Sequence, residues 1–197
     1  DSMGGGICQV STTLYNAVLR AELNVTERSP HSMTVHYVDL SEDAAIAGTY
    51  KDFKFVNSTE YPIYIEGYTT SDKKITFNIY GKETRDKNRT ISFESQMVSE
   101  TPATTILQED AGQGIGYKAV SSKGSSGYVA ELYKIVKVNG VETDRIKVNK
   151  STYKGTNRVV TYGTAGDPTL SENLRAAIAA QDEALADANI AAAVPAQ

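Results

Sequence analysis

Apolar residues recur at steps of three and four near the start of the chain. Val10, Leu14, Ala17, Val18 and Ala21 mark one face of a helix predicted over roughly Ser11 to Glu22. Ser11 or Gln9 can cap it, and Asn24 ends it. The period then shortens to two. Thr34–Leu40, Phe53–Val56, Pro62–Tyr68 and Lys74–Tyr80 read as short strands, parted by turns at Asn57-Ser58-Thr59 and Thr70-Ser71-Asp72. Pro30 sets a loop before the first of them. The polar run Gly81 to Asn88 is the predicted domain boundary.

From Arg89 to Gly166 the pattern is all-β. Strands are predicted at Thr90–Phe93, Gly116–Val120, Tyr128–Val138, Glu142–Val148 and Arg158–Tyr162. Asn139-Gly140 is the strongest hairpin signal, because it suits the positive φ angles of a type I′ turn. Asp167-Pro168 breaks the β pattern. Leu170, Leu174, Ile178, Gln181 and Leu185 then mark an Ala-rich helix that either docks weakly or serves self-association, and Ala191–Gln197 reads as unstructured. The predicted class is α+β. A helix with antiparallel β fills residues 1–82, an all-β glycine-rich module 89–166, and a helical tail 167–197.

Composition narrows this further. The 197 residues, 40% hydrophobic and 22% charged, exclude disorder along the whole chain. No run of about 20 apolar residues is present. A net charge of -4 argues against a nucleic-acid partner. Cys8 is the single cysteine, so no disulfide can form within the chain. With only His31 and His36 beside it, a four-ligand Cys/His zinc site is not expected, and no motif calls for a cofactor. The start at Asp1, almost on the glycine run, reads as a fragment or processed product. Membrane contact would then come only through an anchor upstream.

The candidate chemistry sits in Gly4-Gly5-Gly6-Ile7-Cys8-Gln9-Val10-Ser11. Gly5 and Gly6 offer backbone N–H groups to an oxyanion. Cys8, just before the predicted helix, has the orphan N–H groups and helix dipole that favour a thiolate. His31 in the Pro30 loop is the candidate general base. Asp43 can orient its imidazole. Arg28 and Ser32 flank it, and Arg28 can grip a substrate carboxylate. Each also has a plainer reading: a packing thiol, a loop carboxylate, a surface charge. His36, in a predicted strand, reads as structural.

The run Gly4-Gly5-Gly6-Ile7-Cys8-Gln9-Val10-Ser11-Thr12-Thr13-Leu14-Tyr15-Asn16-Ala17 resembles the VanW family of bacterial envelope proteins. Glu27-Arg28, His31-Ser32, Asp43-Ala44, Asp52-Phe53-Lys54-Phe55 and Tyr61-Pro62-Ile63-Tyr64-Ile65 extend the likeness to about residue 82. Residues 89–166, through Tyr133–Glu142 and Val159-Val160-Thr161-Tyr162-Gly163-Thr164, resemble a five-glycine-type β module. The first resemblance implies an L,D-transpeptidase with Cys8 as nucleophile and His31 as the family histidine. It also implies partners in peptidoglycan stem peptides and glycan, and an extracellular place at the surface or wall of a bacterium. The second implies wall binding or adhesion. A non-catalytic binding module and a self-assembling surface module are the other readings. Two departures bear on this. The family region extends upstream of the glycine run, and Asp43-Ala44-Ala45-Ile46 replaces the commoner Asp-Ala-Thr.

Overall fold

A computed structural model describes residues 6–193. The order is α1 (Ile7–Arg20), β1 (Asn24–Arg28), β2 (Phe53–Val56), β3 (Tyr64–Thr69), β4 (Ile75–Tyr80), β5 (Arg89–Thr101), β6 (Thr105–Gly114) and β7 (Lys118–Ser125). β8 (Gly127–Val138), β9 (Val141–Tyr153), β10 (Thr156–Ala165), α2 (Pro168–Ala179) and α3 (Glu183–Ala193) follow. Helix and sheet are mixed, as the pattern predicts, with an all-β module after the first sheets. The chain forms two compact units. One takes Asp1–Glu100 and Tyr128–Lys154, the other Thr101–Gly127 and Gly155–Gln197.

In the first unit, α1 starts at Ile7 behind Gly6, four residues earlier than predicted, so Cys8 lies inside its first turn. Gly6 sits at φ 102, a left-handed angle that a glycine adopts without strain. The buried face is Ser11, Thr12, Tyr15, Val18 and Leu19. Of the apolar positions that predicted the face, only Val18 is buried, and Val10 is 41% exposed. Polar residues can face inward here because their hydroxyls meet backbone partners, described below. The helix ends in a Schellman turn. Glu22 N–H bonds Leu19 O at 3.0 Å, Leu23 N–H bonds Val18 O at 3.1 Å, and Glu22 takes a left-handed φ of 56.

Residues 34–40 form no strand, contrary to their alternation. Alternation says where side chains would point; a strand needs a backbone partner, and β2 pairs instead with β1. β1 was hidden because Asn24-Val25-Thr26-Glu27-Arg28 does not alternate, and its register shifts between Val25 and Glu27. β3 and β4 form an in-register hairpin. β5, β8 and β9 form a three-stranded sheet, whose β8–β9 turn places Asn139 at φ 51 and Gly140 at φ 81. The core around α1 joins Tyr15, Leu19 and Ala44 to Leu132, with Phe53, Phe93 and Val148 packed against it. Strands β5, β8 and β9 thus help to close the hydrophobic environment of α1.

In the second unit, β10 is central, antiparallel to β7 and parallel to β6. The sequence pattern missed β6. Gly163 permits the close β6–β10 approach, since a Cβ there would lie 2.3 Å from Gly114 O. Asp167 caps α2 by accepting from Thr169 N–H and Leu170 N–H, with Pro168 opening the helix. The tail is two helices, not one. Gln181, at φ 56, breaks them, and its amide both accepts from Leu107 N–H and donates to Leu107 O. Leu174, Ala177, Ile178 and Ala186 pack on Leu107, Val160 and Tyr162. Lys118 and Arg158 bind Glu183, and Lys118 also binds Asp187. The tail is therefore helical through Ala193, beyond the predicted limit at Ala191; residues 194–197 lie outside the described residues.

Glu22 generates a test. Its carboxylate is held at a pKa of about 2, chiefly by hydrogen bonds from Arg89, then by Lys134 and Arg85, against the cost of burial. A depressed carboxyl pKa stabilises the fold fully above the unfolded value near 4.5, and this is lost as pH falls toward 2. Glu22→Gln is expected to lower the melting temperature at pH 7 by about 2–6 °C. Melting curves of parent and variant should converge as pH approaches 2.

Candidate active site

One face of α1 is a polar ladder. Cys8 Sγ donates to Ile46 O at 3.6 Å, and Ser11 Oγ to Ala44 O at 2.6 Å. Thr12 Oγ1 accepts from Ala44 N–H at 3.0 Å, and Asn16 Nδ2 donates to Glu42 O at 2.7 Å. Positions 8, 11, 12 and 16 share a helix face, so their partners run backward along residues 46 to 42. This fixes the backbone that carries Asp43.

Asp43 is fully buried, and four donors converge on it. Oδ1 accepts from Arg28 Nη2 at 2.8 Å and Tyr153 OH at 2.6 Å. Oδ2 accepts from His31 N–H and His31 Nδ1, each at 2.6 Å. Burial pushes the carboxyl pKa up. The hydrogen bonds from the His31 backbone, Tyr153 and the His31 ring, with the Arg28 charge, outweigh it and hold the pKa below the ordinary carboxylate range. An ionised carboxylate only accepts, so His31 Nδ1 carries the ring proton.

Arg28 is turned inward. Its Nε donates to Asp43 O at 2.6 Å and its Nη1 to Ser151 Oγ at 2.7 Å, and the guanidinium lies over the Tyr15 ring. The structure thus gives Arg28 a different task from gripping a substrate carboxylate. Tyr153 OH also accepts from Ser41 N–H at 2.7 Å. Asn149 Nδ2 bonds Tyr15 OH and Ser41 O. Burial foremost raises the pKa of Tyr15 and Tyr153, which keeps both phenols protonated, Tyr153 as the donor to Asp43 and Tyr15 as the acceptor from Asn149.

The remaining predicted residues are placed as follows. Cys8 is partly buried in the first turn of α1. Gly6 is the exposed N-cap, and Gly5 lies outside the described residues. Ser32 is exposed. Its Oγ accepts from Lys51 Nζ at 3.1 Å and its carbonyl from Lys154 N–H at 2.7 Å, which pins the His31 loop. His36 is exposed. The fold brings His31, Asp43 and Arg28 together, while among the described residues no hydrogen bond joins Cys8 to His31.

Three residues were not legible as part of the site. Ser151 and Tyr153 stand more than 100 positions from Asp43 in sequence. No alternation marks them, because Lys150 and Thr152 between Asn149, Ser151 and Tyr153 are polar as well. Tyr37 is the third. Its hydroxyl lies 3.4 Å from His31 Nε2 and its ring meets the imidazole edge-on. Among the described residues no group of His, Cys, Asp and Glu is arranged to hold a metal ion.

Residues 1–80 match the family described as VanW like protein, and residues 93–165 match the G5 domain. The chain carries a VanW-like domain followed by a G5 domain, a pairing typical of cell-wall-associated bacterial proteins. Among individual proteins it is similar to the uncharacterized protein YoaR of Bacillus subtilis (strain 168), with 46% identity over 65 residues. That alignment covers 33% of this chain and 22% of YoaR, so the chain spans about a fifth of the curated relative it matches. Two solved structures are also similar. The IgA1 protease G5 domain is 24% identical with a TM-score of 0.31, covering 43% of this chain and 100% of that one. The crystal structure of HP0197-G5 is 20% identical with a TM-score of 0.24, covering 38% and 97%.

Tyr153→Phe tests the support of Asp43. It removes one donor to the carboxylate and leaves Ser41 N–H buried without an acceptor. Denaturant unfolding should show a loss of about 1–3 kcal/mol. Because the Asp43 pKa would rise toward its unfolded value, acid unfolding of the variant should begin at higher pH than in the parent.

Proposed function

We propose that the chain serves peptidoglycan remodelling at the bacterial cell surface as a cysteine L,D-transpeptidase. The observation that carries this reading is the His31–Asp43 pair, a histidine whose tautomer is set by a buried, ionised carboxylate, on a loop that bonds the same 42–46 segment as the thiol-bearing helix. Cys8 would give its proton to His31 Nε2 and attack the carbonyl of the third residue of a tetrapeptide stem. The peptide bond breaks, a thioester forms, and the terminal D-alanine leaves with the proton from His31. The side-chain amine of a neighbouring stem then attacks the thioester, His31 takes its proton, and a 3→3 cross-link results. Water in place of the amine gives carboxypeptidase action. Gly6, at the start of α1, would support the oxyanion through its backbone N–H. Ser32, exposed beside His31, is the polar side chain nearest in sequence for substrate contact.

A second reading is favoured by a specific contact. The Cys8 thiol donates to Ile46 O, as one rung of the ladder that holds residues 42–46. In that reading Cys8 is structural, and the G5 module binds wall glycan or serves adhesion.

Disaccharide-tetrapeptides incubated with the chain and with its Cys8→Ala variant separate the two. The first reading expects dimers lacking one D-alanine, detected by mass spectrometry, with the variant slower by about 10³-fold or more. Unaltered substrate, with both proteins retained on purified wall, would overturn it in favour of the binding module.

A further inference from the structure

The His31 imidazole has two ring nitrogens, and both are engaged. Asp43 accepts from Nδ1, so in the neutral ring Nε2 presents its lone pair. Tyr37 OH lies 3.4 Å from that atom and, facing a lone pair, is the donor. The rings pack edge-on at 6.3 Å, which sets the phenol against the imidazole. Burial pushes the Tyr37 pKa up, against a hydrogen bond with Thr12 that lowers it, and the nearby Asp43 charge adds to the rise, so the phenol keeps its proton and stays a donor. Meanwhile the Cys8 S–H is directed at Ile46 O. The two ends of the proton transfer are thus each bonded elsewhere. The segment that carries Tyr37 is free of strand pairing, with Met33 and Tyr37 exposed to 53% and 41%.

We propose that Tyr37 is a positioning residue that gates this site: its hydroxyl holds the His31 ring and occupies Nε2 at rest, and it must leave before His31 can take the Cys8 proton. The inference rests on the reading of Cys8 and His31 as a catalytic pair and adds its regulation. A ligand that displaces Tyr37 would free Nε2 and open the side of His31 that the phenol covers. The charged and titratable groups around His31 are Asp43, with Arg28 and Tyr153 behind it, Tyr37, and Lys51, which binds Pro30 O and Ser32 Oγ on the same loop. None of the others bonds Nε2.

A gate and a purely structural phenol differ in sign. A structural role predicts that losing the hydroxyl loosens His31 and leaves thiol reactivity unchanged or lower. The gate predicts a gain. Alkylation of Cys8 by iodoacetamide, followed by intact mass from pH 5 to 9, reads this directly, because the chain has no other cysteine. The proteins are the parent, Tyr37→Phe, His31→Gln and the double variant, with thermal melts to establish that each is folded. Tyr37→Phe is expected to alkylate about fivefold faster near pH 6.5, and His31→Gln to abolish the gain. A Tyr37→Phe rate at or below the parent, with alkylation still dependent on His31, would overturn the gate and leave the catalytic pair standing. Rates indifferent to His31 in both backgrounds would overturn the pair, and the gate with it.

Discussion

A charged carboxylate with no access to water has to be met by donors on every side, and Asp43 sets that demand for the whole first unit. Its donors come from different parts of the chain: Arg28 at the end of β1, His31 in the loop that follows, and Tyr153 at the end of β9. Each arrives only if its own element is in place. The ladder from α1 to residues 42–46 holds the acceptor, and β9 brings the phenol and the Ser151 hydroxyl that steadies Arg28. A buried ion pair of this kind contributes little net stability against an apolar replacement, whereas removing one partner is costly. Its value lies in specificity: it fixes which nitrogen of His31 carries the proton.

That requirement explains why the site spans more sequence than its motif. The glycine run, Cys8 and His31 lie within a short stretch, yet the groups that make Asp43 tolerable extend to residue 153. The hydrophobic core follows the same path, with Leu132, Phe93 and Val148 gathered around α1 and its neighbours. The first unit therefore contains strands that the composition break at residues 81–88 would have assigned to a separate module.

Much of the fold was legible where a local rule governs it. The helix after the glycine run, the β3–β4 hairpin, the Asn139-Gly140 turn and the break at Asp167-Pro168 all follow from spacing or from one backbone preference. The misses have a common cause, which is that pairing is not local. Residues 34–40 alternate without a partner, whereas Asn24–Arg28 and Thr105–Gly114 pair without clear alternation. The buried face of α1 was misread for a related reason, since Ser11 and Thr12 look like surface residues until Ala44 appears opposite them. Asp43 and His31 were recognisable as a pair by residue type. The inward turn of Arg28, and the roles of Tyr37, Ser151 and Tyr153, depend on chain crossings that no short window contains.

Everything functional in this account passes through the state of one imidazole. The most direct test is a long-range ¹H–¹⁵N spectrum of the chain at neutral pH, in which exposed His36 provides an internal reference. His31 is expected to be held as the Nδ1–H form, with Nε2 unprotonated, and Asp43→Asn to abolish this preference. A His31 ring that carries its proton on Nε2, or that shows no preference between its two nitrogens, is the opposite result.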